Sequence, residues 1–163
     1  HADKPFFSFV AFTAPHFPLQ ALPEDIDRVG DRYAAGWDVA RSQRWERLQK
    51  MGLVTGKLSD VEYDQGPPLD FSKTLNVLGD GEVNLPVPWD NLTEEQKKFQ
   101  QAKMSIHAAM IERVDIEVGR IIKQLQTMNA FEDTLIIFLS DNGASAEMMV
   151  RGDGHDPIGG SDA

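Results

Sequence analysis

Two dense apolar runs and one long amphipathic stretch dominate the pattern of hydrophobic and polar positions. Residues 5–14 are rich in aromatic and β-branched side chains, and residues 135–139 are all apolar. Runs of this kind are typical of central strands covered on both faces. Over 93–129, a capping box at the start precedes apolar residues that recur at spacings of three, four and seven. This pattern predicts a long helix with one buried face, and Gly119 inside it suggests a close packing contact.

Two shorter helices are predicted between the first run and the long helix. One covers about 23–30, with a proline at its start, and the other about 33–51, with Gly52 as its C-terminal cap. Residues 54–92 hold many glycines and prolines and are predicted to be a loop-rich excursion. Residues 151–163 show no periodicity and are predicted to be a flexible loop or tail.

The order strand, helices, strand predicts an α/β fold with a β-α-β crossover in a parallel sheet. Ligands of such sheets bind beyond the carboxyl ends of the strands. His16 follows the first run between two prolines, and Asp141 and Asn142 follow the second. A carboxylate beside an amide oxygen suits Ca²⁺ or Mg²⁺. From the residues alone, Asp-Asn-Gly is also a common turn, and a single histidine is often a simple surface residue.

Charge and composition narrow the function classes. The chain has 163 residues, no cysteine and a formal net charge of −10. The acidic balance argues against nucleic acid and against an anionic membrane surface as partners. A bound cation still permits a small anionic substrate. The absence of cysteine excludes disulfides, zinc–thiolate sites and a cysteine nucleophile within these residues, and no apolar run approaches the length that spans a bilayer.

Four segments carry a family resemblance when they are taken together. The segments are FTAPHFPLQ at 12–20, YAAGWD at 33–38, AMIERVD at 109–115 and SDNGASAE at 140–147. With these segments, the chain resembles the type I sulfatases of the alkaline phosphatase superfamily, and bacterial arylsulfatases in particular, over about residues 1–150.

The resemblance implies an alkaline-phosphatase-like sandwich, with a mainly parallel central sheet flanked by helices, that hydrolyses small sulfate esters with one Ca²⁺. Asp141 and Asn142 match the calcium ligands of that family. His16 matches the histidine that contacts the sulfate group and assists the leaving group. Periplasmic or secreted placement is a further implication.

The segment that carries the family's formylglycine nucleophile has no counterpart in these residues, and neither do the other calcium ligands. Residues 1–150 are therefore expected to be the central part of a sulfatase catalytic domain, and the isolated 163 residues are expected to be inactive. Two alternatives stay open at this point: a phosphoryl- or phosphonate-ester hydrolase of the same superfamily, and a non-catalytic α/β binding module.

Overall fold

The computed structural model describes residues 4–63, 76–83 and 85–144. Its longer helices are α1 (Pro23–Val29), α2 (Gly36–Lys50) and α3 (Glu94–Thr127), with a 3-10 turn over Trp89–Asn91 before α3. Residues 76–78 are also helical. All three predicted helices are confirmed. None of the helices in the part described combines the length and the apolarity needed to cross a bilayer.

The two ends of α3 follow from local sequence signals. Thr93 Oγ1 accepts from the backbone N–H of Gln96 at 3.2 Å, and Gln96 Oε1 accepts from the N–H of Thr93 at 3.0 Å. This reciprocal pair is the predicted capping box. At the other end, Asn129 has a φ of 53° and the N–H of Ala130 donates to Leu125 O at 3.0 Å. A left-handed residue followed by such a bond is a common helix terminus.

Glycines behave as expected at the end of α2 and differently within α3. Gly52 has a φ of 72°, and the N–H of Leu53 donates to Leu48 O at 3.0 Å, which confirms the predicted cap. The close contact expected at Gly119 is wrong: a methyl group placed there would meet no heavy atom of the described residues within 4 Å. Within the described ranges nothing packs closely on this glycine, which costs about 1 kcal/mol relative to alanine at a helical position.

The predicted sheet is not confirmed by the described residues. Residues 5–14 and 135–139 form neither a helix nor a strand ladder in that part of the chain. Their side chains are largely exposed, to 91% at Phe7 and 85% at Leu135. A strand requires hydrogen bonds to a neighbouring strand, and a central strand also requires cover on both faces. In the described part of the chain, neither run has both a neighbouring strand and cover on its two faces.

The chain divides into two compact units. Among the described residues, the first unit comprises 4–28 and 106–144, and the second comprises 29–63, 76–83 and 85–105. In the first unit, Val10 and Phe12 line a groove of about 520 Å³ together with Ile121 and Leu125 of α3. The first apolar run therefore lies beside the second half of α3.

Two tryptophans organise the second unit. The rings of Trp37 and Trp89 meet edge to face, with centroids 5.0 Å apart at 79°. Trp37 Nε1 donates to Val87 O at 3.0 Å, and Asp38 Oδ2 accepts from the N–H of Trp89 at 3.0 Å. These bonds hold α2 against the 3-10 turn, and they satisfy the indole N–H of Trp37 and the backbone N–H of Trp89.

The assignment of residues 1–150 to one catalytic domain stays a prediction. The predicted tail over 151–163 lies outside the described residues, as do 64–75 and 84 of the predicted loop-rich excursion. The parts of the excursion that the structure describes contain the short 3-10 turn but no helix comparable in length to α2.

Candidate active site

His16 lies in a turn that follows the first apolar run. Its backbone N–H donates to Thr13 O at 2.9 Å, and its ring Nδ1 lies 2.7 Å from Phe17 O. Because a carbonyl oxygen only accepts, this bond places a proton on Nδ1. The ring is exposed, so Nε2 is the nitrogen available to a ligand. Pro15 and Pro18 restrict the backbone on both sides.

Asp141 and Asn142 lie in an exposed turn after the second apolar run. Ser140 Oγ donates to Asn142 O at 2.7 Å, and Asn142 Nδ2 donates to Gly143 O at 2.7 Å. The amide nitrogen of Asn142 is thus engaged with the backbone, which leaves its side-chain oxygen as the ligating atom. That oxygen and the Asp141 carboxylate are hard donors of the type that Ca²⁺ prefers.

The donor set fits calcium in kind but falls short in number. Calcium takes about 6–8 oxygen ligands, and these two side chains supply at most three. Among residues 4–63, 76–83 and 85–144, no group of three or more His, Asp or Glu side chains is placed to hold a metal ion. His16, Asp141 and Asn142 belong to the same compact unit. Within the described ranges, no hydrogen bond joins the histidine to the other two.

A buried ion-pair cluster in the same unit was not anticipated from the sequence. Asp25 on α1 is only 1% exposed. Both of its oxygens accept from Arg113 on α3, with Nε to Oδ2 at 2.8 Å and Nη2 to Oδ1 at 2.7 Å. Arg28 Nη2 also donates to Oδ1. The spacing of Asp25 and Arg28 suits a pair on one helix, but nothing local relates Asp25 to a partner 88 residues away.

The electrostatics of this cluster favour the charged forms. Hydrogen bonds from Arg113 lower the pKa of Asp25 despite the opposing effect of burial, and Arg28 lowers it further. The same pairing with Asp25 raises the pKa of Arg113. Arg113 also lies 3.7 Å from a carboxylate oxygen of Glu24 and of Glu117, so the arginine lies among acids on both helices.

The lowered pKa predicts a loss of stability in acid. A carboxyl group with a depressed folded-state pKa stabilises the fold above its unfolded value and ceases to do so as the pH falls through the folded value. The unfolded value is near 3.8, so the contribution is present at neutral pH and disappears below about pH 4.

We expect Asp25→Asn to reduce the free energy of unfolding at pH 7 and to flatten its dependence on pH below about pH 4. Urea unfolding at pH 7 and over the range below about pH 4 measures the free energy of unfolding of both proteins. The matched variant Asp27→Asn changes a carboxylate two residues away that takes part in none of the ion pairs of this cluster, and it should leave the slope intact. Equal slopes in wild type and Asp25→Asn would show that this carboxylate does not govern acid stability.

Comparison with known proteins identifies the class. The model of the sulfatase family matches residues 1–161. The chain therefore belongs to the sulfatase family, whose members have an alkaline-phosphatase-like α/β fold and generally use a divalent metal and a formylglycine.

Two relatives make the similarity more specific. An uncharacterized sulfatase of Schizosaccharomyces pombe is 35% identical over 147 residues, which cover 90% of this chain and 23% of the relative. An arylsulfatase of Klebsiella aerogenes is 33% identical over 143 residues, which cover 88% of this chain and 26% of that enzyme. The chain thus spans about a quarter of the length of each relative.

Proposed function

We propose that this chain supplies part of the active site of a calcium-dependent, arylsulfatase-like enzyme that hydrolyses small sulfate esters. The observation that carries the proposal is the family match over 1–161, a range that contains all three candidate residues. The similarity to an arylsulfatase over 143 residues agrees with it. Since the chain spans about a quarter of these relatives, the activity is proposed for a complete protein in which further segments join this one.

His16 is proposed to act on the leaving group. As the S–O bond of a sulfate ester breaks, negative charge develops on the leaving oxygen, and a positioned N–H donor stabilises that charge or transfers a proton to it. The hydrogen bond from Nδ1 to Phe17 O restricts the orientation of the imidazole ring. The exposed Nε2 then carries the exchangeable proton when the imidazole is charged.

Asp141 and Asn142 are proposed to hold one side of the calcium ion. When bound, the ion supplies positive charge that neutralises the sulfuryl oxygens. The bond from Ser140 Oγ to Asn142 O stabilises the turn that presents both donors. The remaining ligands and the formylglycine nucleophile are proposed to come from segments outside these residues, because two side chains cannot complete the coordination shell.

The two apolar runs are proposed to be central strands of a mainly parallel sheet in the complete protein. Their exposed apolar side chains, such as Phe7 and Leu135, need cover that the described residues do not provide. The proximity of the first run to Ile121 and Leu125 agrees with a helix packed on that sheet. All candidate residues then follow the carboxyl ends of strands, where ligands of such sheets bind.

A pair of histidine variants tests the proposal. In the complete protein, we expect His16→Gln to lower kcat for an aryl sulfate by about 10²–10⁴-fold, the usual contribution of a positioned acid or base. His107→Gln, on α3, is the matched control and should leave kcat within about twofold of wild type. Steady-state assays on an aryl sulfate and the corresponding aryl phosphate measure both effects. Similar losses in the two variants would remove His16 from the mechanism, and a wild-type preference for the phosphate would favour the phosphoryl-ester alternative.

A further inference from the structure

The buried ion pair between Asp25 and Arg113 lies close in sequence to the candidate histidine. Asp25 is nine positions after His16, and the intervening residues include Pro18 and Pro23. Proline fixes φ and removes much of the freedom of the chain around it. The backbone N–H groups of Asp25 and Ile26 both donate to Leu22 O, at 3.0 and 3.1 Å. The connection from His16 to Asp25 is therefore short, and a proline restricts the backbone near each of its ends.

The position of α1 depends on tertiary contacts. A helix of seven residues is too short to be stable by itself. The side chain of α1 that is fully buried is that of Asp25. Both of its carboxylate oxygens accept hydrogen bonds from Arg113 of α3. Two parallel charge-assisted bonds define an orientation as well as a distance. The pair thus fixes the start of α1 on α3, which is much longer.

We propose that Asp25 and Arg113 form a positioning pair that holds the His16 turn in the geometry needed for sulfate-ester hydrolysis. The inference rests on the role proposed for His16 above. Neither residue contacts the reacting atoms in this account. They act through the segment that joins α1 to the His16 turn, as outer-shell groups that orient metal-ligating histidines do. Loss of such groups typically costs about 10–100-fold in metal affinity or activity.

Glu82 offers a matched control in the second unit. Its side chain is 3% exposed, compared with 1% for Asp25, and its oxygens accept from Lys103 at 2.7 and 2.8 Å. Glu82→Gln therefore breaks a comparably buried ion pair without touching α1. If a general loss of stability disturbed His16, then Glu82→Gln would disturb it as much as the variants of Asp25 and Arg113 do. A positioning effect on His16 would follow only a change at Asp25 or Arg113.

The experiment uses the complete protein, with histidine side chains labelled for NMR and His16 assigned from His16→Gln. We expect Asp25→Asn and Arg113→Met each to shift the His16 ring resonances and to lower kcat for an aryl sulfate about tenfold, with KM changed less than about threefold. The double variant should resemble either single variant, because both disable one contact. Arg113→Lys keeps the charge without the two-point geometry, and this milder variant should shift the same resonances less.

Two results would overturn the inference: His16 resonances that stay in place in Asp25→Asn, or resonances that move equally in Glu82→Gln. A wild-type protein without sulfatase activity would refute the proposed function, and the ring resonances would still decide whether the pair positions His16. Shifts of the His16 resonances that occur only in the Asp25 and Arg113 variants would support the proposal that this pair positions the His16 turn.

Discussion

Replacing Asp141 by alanine in the complete protein should abolish most sulfatase activity, with a loss of about a thousandfold or more in kcat. A metal ion stabilises developing charge by several kcal/mol, and each 1.36 kcal/mol is tenfold in rate. Asp141 is the charged donor of the candidate pair, whereas Asn142 contributes a neutral oxygen. Loss of the carboxylate should therefore weaken calcium binding more than loss of the amide.

Asp133→Ala is the matched control for this prediction. Asp133 is also an exposed carboxylate and lies in the turn before the second apolar run, so its removal changes the net charge equally. Calcium should raise the melting temperature of wild type and of Asp133→Ala, because an ion that binds the native state stabilises it. Calcium should have little effect on the melting temperature of Asp141→Ala. A calcium-dependent rise of equal size in all three proteins would place the ion elsewhere.

Gly36→Ala should have the largest effect on stability, about 2–5 kcal/mol. Gly36 has a φ of 84°, a conformation that costs about 1–2 kcal/mol for a residue with a Cβ. A Cβ there would also overlap the indole of Trp89. Trp89 cannot retreat freely, because its ring packs edge to face on Trp37 and its N–H is held by Asp38. Overpacking of this kind adds about 1–3 kcal/mol.

Gly52→Ala separates the cost of the positive φ from the cost of the overlap with Trp89. Gly52 also has a positive φ, of 72°, but a Cβ there would meet no heavy atom of the described residues within 4 Å. Its loss of stability should be limited to the backbone term of about 1–2 kcal/mol. Urea unfolding of both variants measures the difference. Equal losses would mean that the Trp89 ring moves aside without penalty.

The helices were predictable because their signals are local. The capping box at Thr93 and Gln96 and the terminal glycine at 52 act within one turn of backbone, and the structure forms both. Gly119 shows the limit of such reasoning, since a helical glycine has more than one explanation and the close contact inferred from it is wrong.

Long-range pairings were not predictable in the same way. The bond between Asp25 and Arg113 joins residues 88 positions apart, and no periodicity encodes a single partner at that distance. The sheet has the same difficulty, because a strand such as 135–139 is completed by neighbours that the run itself does not specify. The rule that ligands bind beyond the carboxyl ends of strands points to His16 and Asp141, and their convergence on one substrate stays a prediction.

The most direct test of the account is the release of inorganic sulfate from an aryl sulfate, measured by ion chromatography beside the released phenol. We predict that the complete protein releases the two products in equal amounts and loses the activity when calcium is chelated. The isolated 163 residues should release neither product. Chelator-insensitive turnover, equal turnover by the isolated chain, or phenol released without sulfate would contradict the account.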